Sequence, residues 1–296
     1  MENVQLYPAK IRVVPNVKLA KVISNLSAEK FERAISGNSR GVVEKRNTKK
    51  FGDVVTSYKI ANADGFTDES PLTEFDAAVL SACISEQKAG NDHTTFAVIL
   101  RSLTGKVTKG DAEPSKNQRE ATSHSVMKLM QTLIWIDDTK TNEALDYKTT
   151  DASKKCSAIL PAYFVEKTVN GQDATVIYFD RLSPIMEIAE ARNQILRYDT
   201  ALLDVPNQNN TPLVITLKNY CMRRVAEIKL HKMTPTLTFA DIFKKARIST
   251  GASRDAKYNA RETVTALFEH LKEKGAVKSF ELVKRGSQIY AVKFTY

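Results

Sequence analysis

The sequence predicts an α+β protein in which a set of three helices and a β-hairpin occurs twice, after a β-rich N-terminal arm. Three observations predict this fold class. Apolar residues recur with a helical period in several segments, capping residues open those segments, and alternating runs joined by turn residues follow the third helix of each set. At 296 residues, the chain is long enough to bury two cores. We assign residues 1–66 to the basic arm, 67–182 to the first unit, 183–204 to a linker helix and 205–296 to the second unit.

The arm is predicted to contain short strands and one helix. Extended runs flank Pro15-Asn16, and residues 46–60 return to strand. Between them, residues 27–35 predict a short helix with Ser27 as its cap.

The first unit is predicted to open with a capping box, in which Thr73 precedes Asp76 by three residues. The amphipathic helix that follows ends near Gly90, and residues 94–105 predict a second, more apolar helix. The third helix is predicted over residues 115–133, with a polar front half and an apolar stripe behind it.

A β-hairpin is predicted at the end of the first unit. A polar insertion at residues 139–155 has no apolar period, and the two arms of the hairpin are then residues 156–169 and 172–180. Asn170-Gly171 joins them and is the strongest short turn signal, because a type I′ turn needs positive φ at both central positions.

The linker and the second unit repeat the same order of elements. Residues 184–199 predict the linker helix, and residues 211–232 predict a long amphipathic helix. Residues 237–248 predict a shorter helix, which opens on Thr238 and Asp241 with the spacing of a capping box.

The most informative segment is the helix and hairpin that end the chain. Residues 255–275 predict a helix with one apolar face, and the hairpin at residues 276–295 follows directly. The apolar face consists of Val264, Leu267, Phe268 and Leu271, and the hairpin turn carries Lys284 and Arg285. A helix, two strands and a basic tip form the outline of a winged-helix module. Such modules usually place the helix in the DNA major groove and the hairpin tip on the backbone.

Charge is unevenly distributed along the chain. The formal net charge is +10, of which residues 1–66 contribute +6, residues 67–180 contribute −5 and residues 181–296 contribute +9. A basic C-terminal half favours a polyanionic partner with phosphate contacts as the main source of affinity, although ordinary solvation of a basic protein is the alternative. We therefore expect double-stranded DNA as the partner and the second unit as its main binding site.

DNA contacts are predicted on three surfaces. If the apolar face of the last helix is buried, its front half points away from the core and can read base edges. The residues predicted on this helix are Arg254, Lys257, Tyr258, Asn259, Arg261, Glu262 and Thr263. On the hairpin tip, Lys284 and Arg285 are predicted to meet the backbone. The third helix of the first unit is predicted to make weaker contacts through Lys116, Asn117 and Arg119.

The patterns of the common catalytic and metal sites are missing from the sequence. Thr104-Gly105-Lys106 lacks the upstream glycine of a phosphate-binding loop, and no Gly-x-Gly-x-x-Gly follows a predicted strand. The four histidines are scattered, so no His-x-His pair is present to hold the metal of a nickase. We therefore expect no enzyme activity, no cofactor and no metal.

The cysteines and the hydropathy pattern predict a cytoplasmic protein without a membrane partner. Cys83, Cys156 and Cys221 are far apart and odd in number, which favours buried thiols in a reducing compartment. No run of 18 apolar residues occurs, and the N-terminus has no apolar core of signal-peptide length.

With its elements in this order, the chain resembles the bacterial plasmid replication initiators of the tandem winged-helix type. The resemblance covers about residues 71–296 and rests on three segments in addition to the order of elements. They are SPLTEFDAAVLSACIS, RLSPIMEIAEARNQILRYDTALLDV and NTPLVITLKNYCMRRVAEIKL. The resemblance implies that a monomer binds origin repeats with both units and that the first unit mediates a homodimer/monomer equilibrium. It also implies autoregulation of transcription and host replication proteins as further partners.

Three other functions compete with a replication initiator. A winged-helix transcriptional regulator without a replication role is the main alternative, and direct repeats in the encoding DNA would favour the initiator. A nuclease or relaxase would need the metal cluster that the sequence pattern lacks. A protein-interaction scaffold built on winged helices would fail to bind DNA even at low salt.

Overall fold

The computed structural model describes residues 8–16, 42–47, 56–62, 72–107, 115–137, 154–169, 172–191, 193–286 and 288–296. Within these residues the chain forms seven α-helices and twelve strands, and the strands pair antiparallel in four small sheets. The predicted α+β class is therefore confirmed. The helix predicted at residues 27–35, the turn at Asn170-Gly171 and nearly all of the insertion at residues 139–155 lie outside the described residues.

The described part of the arm consists of three strands, β1 (Ile11–Pro15), β2 (Val42–Asn47) and β3 (Thr56–Asn62). Two of them belong to a four-stranded sheet, in the order β2-β3-β5-β6, with β5 (Thr132–Asp137) and β6 (Lys154–Ala158). Through β3, which pairs with β5, the arm shares main-chain hydrogen bonds with the first unit.

The first unit contains three helices and a three-stranded sheet. In chain order its elements are α1 (Glu74–Lys88), β4 (His93–Thr95), α2 (Phe96–Thr104), α3 (Lys116–Gln131), β7 (Ala162–Val169) and β8 (Gln172–Phe179). The strand order is β4-β8-β7, so the short strand before α2 pairs with the last strand of the hairpin.

The helix ends of the first unit follow their capping residues. The predicted capping box opens α1, where the Asp76 amide donates to Thr73 Oγ1 at 3.1 Å. The second helix begins two residues later than predicted, because Thr95 caps it by accepting the Val98 amide. The third helix ends before Leu133, because residues from Thr132 onward pair with β3 and β6.

The prediction that residues 156–169 form a single strand, the first arm of the hairpin, is wrong. This segment is divided between β6 and β7, which belong to different sheets. Ile159 and Leu160 lie between the two strands and are completely buried in the first core, and Pro161 has no amide with which to continue a ladder.

The linker is only half helical, which corrects the prediction of one helix over residues 184–199. Helix α4 (Pro184–Ala191) is followed by strand β9 (Ile195–Asp199), which pairs with β1. The helix ends where the Gln194 amide donates to the Ala189 carbonyl and Asn193 adopts a left-handed conformation, with φ of 50°. A short 3-10 helix (Thr200–Leu203) then leads to the second unit.

Arg12 fixes β1 against the helices of the first unit. Its side chain is completely buried, and the guanidinium donates to the backbone carbonyls of Ala78 in α1 and Ser102 in α2. Burial lowers the pKa of this guanidinium.

The second unit repeats the topology of the first. Its elements are α5 (Pro212–His231), β10 (Thr236–Thr238), α6 (Phe239–Lys245), α7 (Arg254–Glu273), β11 (Ser279–Arg285) and β12 (Gln288–Thr295). The strand order β10-β12-β11 matches β4-β8-β7, because the short strand again pairs with the last strand of the hairpin. The predicted recurrence of three helices and a hairpin is therefore present in the structure.

Each unit has its own apolar core. Val264, Leu267, Phe268 and Leu271 are all completely buried in the second core, so the predicted apolar face of α7 is confirmed. Leu203 is also part of this core, although the predicted boundary assigns it to the linker. No helix in the described part of the chain is long and apolar enough to span a membrane.

Candidate nucleic-acid interface

The front half of α7 is exposed on the side opposite the second core. The Ser253 hydroxyl caps the helix by accepting the Ala256 amide at 3.1 Å. Four of the predicted DNA contacts are exposed on this part of the helix: Arg254, Tyr258, Asn259 and Glu262. Tyr258 is 57% exposed, which is unusual for a large aromatic side chain and leaves its ring available to a partner.

Lys257 and Thr263 are half-buried and lie at the border of this face. The Lys257 ammonium donates to the Thr250 carbonyl at 2.6 Å and so closes the loop before α7. The Thr263 hydroxyl donates to the Asn259 carbonyl at 2.9 Å, and its own carbonyl accepts the side-chain amide of Gln208. Both residues help to position α7 in addition to any contact with a ligand.

Arg261 is held by the neighbouring helix. Its guanidinium carbon lies 5.7 Å from the ring centre of Phe239 and 5.3 Å from that of Phe243, both in α6. The side chain is half-buried, and its Nε atom has no hydrogen-bond partner. The structure therefore does not place Arg261 with the exposed residues of α7, and its contacts join α6 to α7.

The hairpin of β11 and β12 presents a basic end. Lys284 and Arg285 are exposed, and Gly286 makes the turn with φ of 62°, which favours glycine. The Arg285 guanidinium lies 4.5 Å from the ring centre of Tyr290, so the two side chains stack on the hairpin surface. Both predicted wing residues are thus brought to one place.

In the first unit, α3 exposes Lys116, Asn117 and Arg119 in its first turn, as the sequence predicted. Lys116 has a neighbouring carboxylate, since its Nζ lies 3.8 Å from Glu120 Oε1. Gln118 is the third residue of the helix, and its side chain accepts the Ser115 amide at 2.8 Å in a capping box.

Sequence reasoning missed one exposed cation and one cluster that joins the units. Lys244 is exposed at the end of α6, and its signal is the basic run Lys-Lys-Ala-Arg in the last part of the helix predicted over residues 237–248. The cluster is centred on Glu74, whose carboxylate lies 2.7 Å from Arg223 Nη2 and 3.6 Å from Lys245 Nζ. Burial lowers the pKa of Lys245. No local sequence pattern predicts an ion pair between two residues that are 149 positions apart.

The described residues contain no group of three His, Cys, Asp or Glu side chains that could hold a metal ion. Cys83 and Cys221 are buried free thiols, and burial raises the pKa of each to about 12. His270 is also buried, and desolvation lowers its pKa. None of these groups lies on the exposed face of α7.

No model of a known protein family matches the chain, and no curated protein matches it. Several solved structures are similar to it, including the following three. A selenomethionine derivative of domains 2 and 3 of RctB is 12% identical, with 86% of this chain and 90% of that chain covered and a TM-score of 0.42. RctB domains 2-3 in a second structure are 11% identical, with 86% and 91% covered and a TM-score of 0.43.

The third similar structure is the Pi initiator protein in complex with iteron DNA. It is 10% identical to this chain, with 98% of this chain and 97% of that chain covered and a TM-score of 0.39. An initiator protein is therefore among the solved structures to which the chain is similar. All three TM-scores lie below 0.5.

Proposed function

We propose that the chain is a replication initiator that binds duplex DNA sequence-specifically through two tandem winged-helix units. The observation that carries the proposal is the pairing of an exposed helix face with a basic hairpin in one unit. The front of α7 exposes Arg254, Tyr258 and Asn259, and the hairpin end exposes Lys284 and Arg285. A helix that enters the major groove beside a hairpin tip on the backbone uses this combination.

The exposed residues of α7 have the chemistry for reading bases. An asparagine amide can donate to and accept from adenine, an arginine can donate twice to guanine, and a glutamate can accept from the cytosine amino group. Asn259, Arg254 and Glu262 supply these three groups within two and a half turns of one helix. The net charge of +9 over residues 181–296 supports the phosphate contacts that any such complex needs.

The first unit is proposed to supply a weaker DNA contact and the dimer contacts. Its net charge of −5 over residues 67–180 works against binding phosphate over a large surface, but the first turn of α3 exposes two cations. Tethering to the second unit raises the effective concentration of such a weak site. Origin repeats, to which a monomer binds with both units, are the targets we propose.

The proposal is tested in two steps. Sequencing the duplexes that the full chain selects from a random pool tests specific binding, and we expect one motif to be enriched. A plasmid without another origin, carrying arrays of that motif, then tests initiation: it should be maintained only where the chain is supplied. Enrichment without maintenance would favour the transcriptional regulator, and the absence of any binding at low salt would overturn both functions.

A further inference from the structure

One loop touches both helices that the proposed function assigns to DNA. This bridging loop, residues 204–210, lies between the 3-10 helix and α5. The Gln118 side-chain amide of α3 donates to the Asn210 carbonyl at 2.7 Å. Two residues earlier in the loop, the Gln208 side-chain amide donates to the Thr263 carbonyl of α7 at 3.2 Å. The loop therefore connects the two helices through one hydrogen bond at each side.

A buried cation anchors the loop to α5. The Lys218 side chain is completely buried, and its ammonium donates to the Leu203 carbonyl at 2.8 Å and to Asn210 Oδ1 at 2.6 Å. Burying a charged group is costly unless it is hydrogen-bonded, so these two contacts hold the start and the end of the loop in fixed positions.

The start of the loop is also in close contact with the first unit, at the end of α2. Gly105 ends α2 with φ of 83°, and a Cβ atom at this position would lie 2.2 Å from the Asp204 amide nitrogen. Nearby, the Asn219 side-chain amide of α5 donates to the Leu103 carbonyl of α2 at 3.0 Å. The loop is thus in contact with α2, α3, α5 and α7, and it has little room to move without breaking one of these contacts.

We propose that the bridging loop fixes the separation between α3 and α7, so that the chain recognises a two-part DNA site with a single preferred spacing. The inference rests on the proposed function and adds to it. Gln118 and Gln208 are positioning residues in this arrangement, since they act on the two DNA-contacting helices and touch no DNA themselves.

The geometry of DNA makes spacing a sensitive measure of this role. One inserted base pair moves the second part of the site by about 3.4 Å and rotates it by about 35°. A hydrogen bond does not survive a displacement of that size, so a rigid pair of helices loses its contacts with one of the two parts. If the separation between the two helices can change, the chain keeps its contacts with both parts of the site.

Two substitutions separate the bridging role from general stability. Gln118→Glu retains an acceptor for the Ser115 amide, as a glutamate does in most capping boxes, but cannot donate to the Asn210 carbonyl. Gln208→Met removes the donor to Thr263 without adding charge and without any role in a cap. Gln194→Glu is the matched control, because Gln194 is exposed in the turn between α4 and β9.

The experiment measures the affinity of the full chain for its selected site and for versions with one or two base pairs inserted or removed between the two parts. We expect the wild type and Gln194→Glu to prefer one spacing by at least about tenfold, the loss that follows when one base contact is broken. We expect Gln118→Glu and Gln208→Met to reduce this preference to below about threefold. The affinity for DNA that carries only the part read by α7 should stay at the wild-type level.

The outcomes distinguish this inference from the proposed function. A wild type that binds its site with no spacing preference, or variants that lose affinity equally at every spacing, would overturn the role of the loop and leave DNA binding in place. A wild type that enriches no sequence from a random pool would overturn the proposed function itself.

Discussion

The guanidinium of Arg223 lies 2.7 Å from the carboxylate of Glu74, although the two residues belong to different units. The Glu74 side chain is only 3% exposed, and that of Arg223 is 14% exposed. Lys245 adds a second cation at 3.6 Å from the other carboxylate oxygen. One carboxylate at the start of α1 therefore pairs with two cations of the second unit.

Replacing Glu74 by glutamine is expected to lower the free energy of unfolding by about 3 kcal/mol, because it leaves two partly buried cations without their counter-charge. Urea titration followed by circular dichroism measures the change. Glu281→Gln is the control, since it breaks an exposed ion pair with Lys293 and should cost less than about 1 kcal/mol. Equal effects of the two substitutions would contradict the importance of the buried cluster.

Asn259→Ala is expected to change the DNA sequence that the chain selects, because Asn259 is exposed on the front of α7 and its amide can pair with adenine. The expected loss at the affected base pair is about 1–3 kcal/mol. Selection from a random pool measures it. Glu269→Ala, ten residues further along the same helix and about 15 Å away, should leave the motif unchanged. An identical motif for Asn259→Ala would remove Asn259 from the interface.

Replacing Lys284 and Arg285 by glutamine is expected to weaken binding to all sequences by similar factors, because a hairpin tip on the backbone contacts phosphates. The slope of log affinity against log salt should become shallower by about 1 for each lost contact. Replacing both Lys272 and Lys274 by glutamine removes the same two charges at the far end of α7 and serves as the control. A change in the selected motif would instead show that the tip reads bases.

Arg261→Ala is expected to act on stability and not on sequence preference, because the guanidinium packs on Phe239 and Phe243. The free energy of unfolding should fall by about 1 kcal/mol. Arg261→Lys keeps the charge but loses the flat stacking surface, so it should be intermediate. If the alanine variant kept its stability and selected another motif, Arg261 would be a base contact as the sequence suggested.

The stability of the chain is expected to depend on pH through Lys218. Burial lowers the pKa of this ammonium from 10.5 to about 8 in the folded chain. Between pH 8 and pH 10.5 the unfolded chain therefore holds more protons at this site than the folded chain. The contribution of Lys218 to the free energy of unfolding rises with pH in that window.

Comparison with Lys218→Met isolates this contribution. The free energy of unfolding of the wild type, minus that of the variant, should increase by about 1 kcal/mol between pH 8 and pH 9. Cys83 and Cys221, whose raised pKa values of about 12 act in the opposite sense above pH 9, are present in both proteins and cancel. A difference that stays constant or falls with pH would contradict the buried charge.

The elements that the sequence predicted well are those with local signals. The apolar repeat from Val264 to Leu271 is enough to orient α7, because a helix places residues three and four apart on one face. Thr73 and Asp76 are enough to predict the start of α1, because a capping box is complete within four residues. The exposed front of α7 followed directly from its buried face.

The elements that were missed depend on partners far away in the chain. Residues 195–199 are included in the predicted linker helix but form β9, because β1 offers them a ladder of main-chain hydrogen bonds. The Glu74 cluster and the stacking of Arg261 on α6 likewise require tertiary contacts that no window of the sequence contains. The periodicity of the sequence therefore predicts which face of α7 is exposed. It does not predict which residues of that face are held by contacts with other helices, as Arg261 is.

The pairing of β1 with β9 sets an order of events during synthesis. Residues 11–15 leave the ribosome about 180 residues before their partners at residues 195–199. At a synthesis rate of about 5–20 residues per second, this strand waits for roughly 10–40 s. Arg12 cannot reach its two carbonyl acceptors until α1 and α2 have formed around it. The first strand in the described part of the chain is therefore paired only after α1 and α2, which hold Arg12, have been synthesised.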